Sequence, residues 1–568
     1  MSPAAPSGPG GPEIPLIDDP SVVLDPASDP GAASLGTTGA EASVGLAWPA
    51  MLRTRVQGRA LRSPRYRWWV LVALLSGLFA LNFTFTVFVV ALPTVAKEFH
   101  THISSLTWVS TGPLLAFGLA APLLGKAGDL FGHRKLYLWG LVGAMLSAVL
   151  TATAVSTGEL IAARCLDGVQ GAATGTASMA IILRMFAPED RVKAMGWWSM
   201  VGAGGPVIGV SLGSPIIQYL GWRALFWVQL GLLALALVVV ALVLPAHGAK
   251  AVPEDGVPPS RWQAVDWVGT WSLSGLVIGV MLALSFAPVS GWTSAAVLVP
   301  LALAVLSLAL FGYRLRTSAH PLIPPAYFRR RNFMLPMGVR TFGNFAYFGG
   351  FFLFPLLMEQ AYGWKETPVG LISIARPLAF SLIAPVAGYA AVRIGERTSA
   401  MVGAGSLVVS MVLFAELGAS PSLLLIILAL TLSGLGMGIS LPATSSTQAN
   451  EVDPSEFGVM SATQLLATQV GEVAGIQVLI TVQVSSAHRT GAHHGLALLG
   501  SFHLAFWIGA VVAVAGFACA AFIRDMPRTR RRTAPGPRID PPPPPAGRHP
   551  GPEPSVSRPS TPERAGTG

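Results

Sequence analysis

Apolar runs of about twenty residues, each cut short by a polar or glycine- and proline-rich break, recur along this chain from residue 68 to residue 523. A helix needs about 20 residues to cross about 30 Å of hydrocarbon. About fourteen runs qualify, at 68–92, 107–125, 136–155, 160–183, 195–220, 223–244, 267–286, 293–312, 333–358, 368–391, 399–417, 422–442, 458–483 and 501–523. Lipid offers the backbone no hydrogen-bond partner, so each run is expected to be a helix; the weak alternation of a membrane barrel is absent. The pattern predicts an all-α polytopic membrane protein.

Composition sharpens this. Of 568 residues, 52% are hydrophobic and only 11% charged, against roughly 25% charged in a soluble domain, which excludes a water-soluble enzyme. The net charge of +10 could suggest nucleic acid, but the cations lie between and beyond the apolar runs, many of them in Arg53–Arg67 and Arg524–Arg564, where they read as membrane orientation. With both termini inside, the loops after even-numbered spans should carry Lys and Arg. They hold Lys126, Arg134 and Lys135, then Arg184, Arg191 and Lys193, then Lys250 and Arg261, then Arg314, Arg316 and Arg329 to Arg331, then Arg393 and Arg397. One loop dissents: 443–457 lacks Lys and Arg and bears Glu451, Asp453 and Glu456. Residues 1–66 read as a disordered cytoplasmic arm and 524–568 as a disordered basic, proline-rich tail. Cys165 and Cys519 fall inside apolar runs and read as packing residues.

The segment Ala120–Lys135 can be laid on Ile383–Arg397. Ala121, Pro122, Gly125, Ala127, Gly132 and Arg134 recur as Ala384, Pro385, Gly388, Ala390, Gly395 and Arg397, all at an offset of 263. Each copy ends the second helix of a six-helix set. The expected organisation is a six-helix bundle over 67–245, a two-helix insert with flanking loops over 246–332 and a second six-helix bundle over 333–523. Repeats of this kind typify alternating-access transporters.

GKAGDLFGHRK, Gly125 to Lys135, resembles the signature between the second and third helices of the major facilitator superfamily, with Gly125, Asp129, Gly132 and Arg134 in matching places. Over roughly residues 66–524 the chain looks like the fourteen-helix drug:proton antiporter branch. The resemblance implies that this loop helps lock a cytoplasmic gate, with Asp129 partnering helix ends or an Arg of a neighbouring helix, and it extends to Gly388, Gly395 and Arg397 in the second copy. GAGGPVIGVSLGSP, Gly202 to Pro215, resembles the glycine and proline motif of export branches, with Gly202 and Pro206 among its residues. Gly205, Gly209 and Gly213 lie four apart and leave one helix face bare for backbone contact. ARCLDGVQGAA, Ala163 to Ala173, is similar to the family's fourth-helix pattern but has Asp167 where Gln is usual, and in LNFTFTVFVVALP, Leu81 to Pro93, Thr84 occupies the usual aspartate position.

Charges within a span cost at least about 2.5 to 3.5 kcal/mol each, so each needs a partner, a wet cavity or a function. Arg164 and Asp167 are three apart on one helix and can face each other. Arg340, Arg376 and Glu472 lie in later spans. Glu472 falls near mid-membrane, with Gln464 and Thr468 on the same face. Burial favours the neutral form of a carboxyl, and hydration or a nearby cation the charged form. A carboxyl reached by water from alternate sides can therefore exchange a proton for a cargo, and Glu472 and Asp167 are the candidates. The competing reading is a permanent ion pair, Asp167 with Arg164 or Glu472 with Arg340 or Arg376.

Asn82, Thr86, Gln170, Gln464, Gln469 and Phe345 are candidate cargo contacts. Three in-span Arg against two acids leave the cargo's charge open. No phosphate loop, protease metal pair or nucleophile motif survives inspection, and no metal, cofactor or nucleic acid is expected. The expected function is export of amphipathic small molecules, drugs or natural products, in exchange for protons by a monomer in the cytoplasmic membrane of a bacterium. Its rivals are an uncoupled facilitator or importer of the same fold and a membrane-embedded ligand sensor.

Overall fold

The computed structural model describes residues 65–84, 87–101, 107–244, 266–319, 321–491 and 495–525. The arm up to residue 64, Thr86, the loop 245–265 and the tail from 526 lie outside the described residues. The helices are α1 Tyr66–Asn82, α2 Val87–Glu98, α3 Thr107–Phe131, α4 His133–Thr153, α5 Thr157–Met185, α6 Pro188–Leu220, α7 Trp222–Val243, α8 Trp267–Ser290 and α9 Ala295–Thr317. After the short α10 Pro325–Phe328 follow α11 Arg331–Leu356, α12 Glu366–Ser373, α13 Ala375–Ile394, α14 Glu396–Ala415, α15 Leu423–Ala449, α16 Phe457–Thr490 and α17 Leu499–Ala521.

Local chemistry sets several boundaries. The Ser156 hydroxyl accepts from Glu159 N at 3.3 Å, and the Glu159 carboxylate accepts from Val155 N at 3.0 Å, so the start of α5 is capped in both directions. Asp266 caps α8 by accepting from Gly269 N at 2.9 Å. The reversal from α3 to α4 turns on Gly132 at φ 98°, and that from α13 to α14 on Gly395 at φ 96°. A side chain there would be strained. The sequence repeat thus recurs as one backbone conformation at matching positions.

Twelve helices are long and apolar enough to cross a membrane, among the described residues. Two of the fourteen expected positions differ from these. The helix α5 spans 29 residues but carries Glu159, Arg164, Asp167 and Arg184. In the first expected span, 68–92, α1 ends at Asn82 with Phe83 and Thr84 in a turn, and α2 runs from Val87. The turn lies where α6 comes closest, since a Cβ on Gly209 would meet the Phe83 carbonyl oxygen at 1.9 Å. Side chains serve the carbonyls just before it, with Asn82 donating to Leu78 O at 2.8 Å and Gln229 to Ala80 O at 3.3 Å.

Two helices organise the packing. α16 lies against α11 and α17 on one side and α3, α5 and α8 on the other, while α6 packs on α1 and also on α13 and α15. The inserted pair α8 and α9 is tied by Arg314 to Asp266 at 2.9 Å. It also joins the seam, because Ser274 donates to Leu119 O of α3 at 2.9 Å and Val277 and Met281 cluster with Ala121, Ala462 and Leu466. Glycines allow the closest approaches within the second set. Gly434 faces Arg376 O and Gly438 faces Phe380 O, so the glycine cluster of α15 is a packing surface. The cysteines pack too: Cys165 Sγ lies over Gly112 and Cys519 Sγ over Gly338.

Candidate functional site

At the end of the molecule that carries Lys126, Arg134, Arg184 and Arg191 the two helix sets are bridged by a carboxylate seated on a helix N-terminus. Asp129, in the last turn of α3, accepts from Gly458 N at 2.9 Å and Val459 N at 3.0 Å at the start of α16. The N-terminal peptides of a helix lack intrahelical acceptors and carry partial positive charge, so an anion is favoured there. His133 Nε2 at 3.0 Å and Arg184 Nη2 at 3.3 Å complete its partners. Arg184 also donates to Ser455 O at 3.4 Å. Chain segments 329 residues apart are joined by this one side chain.

Close approach makes the contact possible. A Cβ on Gly125 would lie 2.7 Å from Gly458 O, and one on Gly458 would lie 2.3 Å from Gly125 O. The second copy of the loop forms a different contact. Gly388 meets the Val192 carbonyl of α6, where a Cβ would lie at 2.7 Å, and Lys193 Nζ stands 5.8 Å from the centre of the Tyr389 ring. Val392 holds the place that Asp129 has in the first copy, so this contact has no charged latch.

Arg134 and Arg397 also make bonds within their own helix sets. Arg134 donates to Leu244 O at 3.2 Å and Ala241 O at 3.4 Å, serving carbonyls at the end of α7 in its own set. Arg397 N donates to Asp525 Oδ1 at 3.0 Å, beside Gly395.

The acidic loop that broke the charge pattern belongs to the same end. Arg191 donates to Ala449 O at 3.3 Å and Asn450 Oδ1 at 2.7 Å and lies 4.9 Å over the Phe457 ring. Arg330 donates to Glu451 O, and Asn332 to Glu451 Oε1 at 3.2 Å. Asp453 N donates to the Tyr327 hydroxyl at 3.2 Å. Burial and the neighbouring Glu456 push that phenol up to about 12, so it stays protonated. Cations from elsewhere in the chain thus supply what this loop lacks.

Inside the apolar layer the ionisable groups behave differently from one another. Asp167 is paired: Arg164 Nη1 lies 2.7 Å from Oδ2, and Gln170 donates to Oδ1 at 2.6 Å. The Arg164 guanidinium also lies 5.4 Å over the Phe88 ring. Glu472 is buried, and no ion pair among the described residues includes Glu472, Arg340 or Arg376. The expected alternative of Glu472 bridged to Arg340 or Arg376 is therefore not what the structure contains. Arg340 instead donates to Ser445 Oγ at 2.5 Å, Gln464 Oε1 at 3.2 Å and Thr468 Oγ1 at 3.2 Å. Arg376 donates to Tyr347 O at 2.9 Å and is ringed by Tyr347, Phe351 and Phe414. Its Nε and Nη2 are buried without a partner.

The glycine face of α6 is used in part. Gly205 faces Asn82 Cβ at 3.0 Å and Gly209 faces Phe83 O, each as the distance to an added Cβ, and Gly213 is buried. Gly202 has nothing within 4 Å of such a Cβ and is not a packing glycine here. Pro206 and Pro215 lie inside the helix. Of the cargo candidates, Gln464 is taken up by Arg340 and by Met460 Sδ at 3.3 Å, Gln170 by Asp167 and Asn82 by its own helix. Phe345 is packed in the core of the second set, where its carbonyl would stand 2.1 Å from a Cβ on Gly475, which removes it from the exposed candidates. Gln469 is half-buried.

Several residues that matter here escaped the sequence reading: His133, Arg184, Arg191, Gly458, Gly471 and Gly475. The last two have a legible signal. They are four apart in α16 and face Thr341 O and Phe345 O of α11 at backbone distance, as Gly205 and Gly209 face α1. The others depend on pairings between distant segments.

Comparison with known proteins agrees with this architecture. The family model described as Major Facilitator Superfamily matches residues 72–323, 257–476 and 339–560. The chain is 31% identical over 445 residues to the puromycin resistance protein pur8 of Streptomyces alboniger, covering 76% of this chain and 84% of that one. It is 27% identical to the tetracenomycin C resistance and export protein of Streptomyces glaucescens, over 74% of this chain and 76% of the relative. Among solved structures, the proton:xylose symporter XylE superposes with a TM-score of 0.57 at 14% identity, over 81% of this chain and 96% of that one. The chain belongs to the major facilitator superfamily, and it is a multi-pass membrane transporter, not an enzyme.

Proposed function

We propose that this transporter exports amphipathic small molecules, drugs or secreted natural products, in exchange for protons by alternating access. Its place is the cytoplasmic membrane of a bacterium, with the basic end and both termini inside. Two six-helix bundles, 67–245 and 333–523, rock about the seams α3–α16 and α6–α13, and the insert over 246–332 brings the helix count to fourteen. The Asp129 latch holds the cytoplasmic end closed in the state described. The names of the relatives, a puromycin resistance protein and a tetracenomycin C resistance and export protein, support antibiotic-like cargo.

The observation that carries the coupling is Glu472, a buried carboxyl on the seam helix α16 with no ion pair among the described residues. A proton taken up from outside neutralises it; opening of the latch hydrates it from inside, and the proton leaves as cargo binds. No covalent step is needed. Asp167, bound by Arg164 and Gln170, positions α5 in this state and exchanges protons only if that pair opens. Dye efflux from reconstituted vesicles under an imposed pH gradient tests the reading. Wild-type flux should follow the gradient and Glu472→Gln flux should not. Thr84, with a buried hydroxyl lacking a partner at the position where the family resemblance implies an aspartate, favours a second reading, an uncoupled facilitator. That reading wins if wild-type flux ignores the gradient, and the sensor wins if dye binds without flux.

A further inference from the structure

The buried Arg and Glu side chains of the second helix set are Arg340, Arg376, Glu472 and Glu396, the last at the start of α14, where its carboxylate accepts from Ser446 and Thr447 at 2.8 Å each. Arg340 is 4% exposed and Arg376 fully buried, and their acceptors are hydroxyl, amide and carbonyl oxygens, with no carboxylate among them. Apart from Glu396, which is taken up by hydroxyls at the start of α14, Glu472 is one buried carboxyl against these two guanidiniums and forms an ion pair with neither. A buried cation bound only to neutral acceptors is incompletely compensated, and an added anion is the direct remedy.

The two arginines are not equivalent. Arg376 is enclosed by aromatic rings and has no open side. Arg340 joins three helices, reaching Ser445 on α15 and Gln464 and Thr468 on α16, and Thr468 is only half-buried. Gln464, Thr468 and Glu472 follow at intervals of four, so they occupy one face of α16. The Arg340 fork and the Glu472 carboxyl therefore flank Thr468 on the helix that the Asp129 latch engages. A planar guanidinium with fixed neutral neighbours matches a carboxylate or sulfonate in two-pronged geometry.

We propose that Arg340 binds the acidic group of the cargo and that the cargo is an amphipathic organic anion. The inference rests on the export reading above and names its substrate class. Export of the anion moves down an inside-negative membrane potential, which a cationic cargo would have to oppose.

Equilibrium binding without any gradient tests this independently of coupling. The full chain in lipid nanodiscs is titrated with fluorescein as the amphipathic anion and ethidium as the amphipathic cation, read by fluorescence polarisation. Wild type is expected to bind fluorescein in preference to ethidium. Arg340→Gln should weaken fluorescein binding on the order of tenfold or more, the loss of one charge-assisted contact, while Arg340→Lys, which keeps the charge and loses the fork, should fall between wild type and Arg340→Gln. Ethidium binding should hold or improve in Arg340→Gln, which a merely structural role of Arg340 does not predict. Unchanged fluorescein affinity in Arg340→Gln, equal loss of both dyes, or a wild-type preference for ethidium overturns the proposal. If Arg340→Gln does not fold, the wild-type preference and the Arg340→Lys titration decide alone. Preference for fluorescein combined with gradient-independent flux would leave this inference standing and remove the proton-coupling reading instead.

Discussion

Gly125 and Gly458 meet backbone to backbone, so closely that a Cβ on Gly458 would lie 2.3 Å from the Gly125 carbonyl oxygen. That contact lets the Asp129 carboxylate reach the first free N–H groups of α16. Gly458→Ala should therefore loosen the basic end by about 1 to 3 kcal/mol, the usual penalty for overpacking. Labelling of Ala462→Cys in a background free of Cys165 and Cys519 measures this from the basic side. Unchanged labelling in Gly458→Ala would show that the contact does not hold the end shut.

Asp129→Asn keeps the shape of the side chain and removes its charge. Hydrogen bonds to a charged group contribute about 1.5 to 3 kcal/mol, and here four donors share one carboxylate. The variant should fold, label faster at the same reporter and transport more slowly. Arg134→Ala is the control: its bonds run to α7 within its own set, so it should lower thermal stability and leave reporter labelling close to wild type.

The Arg164–Asp167 pair is mostly enclosed, and breaking one partner of such a pair typically costs about 3 to 5 kcal/mol because the other is stranded. Asp167→Asn and Arg164→Leu should each lower the melting temperature in detergent. The double variant should be more stable than the sum of the single losses implies. Additive losses would argue against the pair as the stabilising contact.

Two glycines of one motif should respond in opposite ways. Gly209→Ala forces a methyl to 1.9 Å from the Phe83 carbonyl and should abolish folded protein, whereas Gly202→Ala enters open space and should be tolerated in yield and stability. Equal tolerance at both sites, read by size-exclusion profile, would contradict the close packing of α6 on the turn that ends α1.

The spans, the repeat and the paired glycine turns were legible in the chain itself. Hydrocarbon leaves the backbone no partner outside a helix, so length and apolar content specify spans directly, and an offset of 263 carries Gly132 onto Gly395 without any knowledge of packing. The pair Arg164 and Asp167 was legible for a similar reason, since a spacing of three places both on one helix face. What only the tertiary structure decided was the choice among distant partners. Sequence offered Arg340 and Arg376 equally to Glu472, and neither takes it. It offered Asp129 helix ends or an Arg of a neighbouring helix without saying which, and packing selects the start of α16 and Arg184, with His133 beside them. It left the acids of 443–457 without a reason, and packing brings Arg191 and Arg330 to that loop. Such pairings depend on which helices lie side by side, and on rotations of each helix about its axis, which follow from the sum of many contacts across hundreds of residues and leave no periodic trace in the chain.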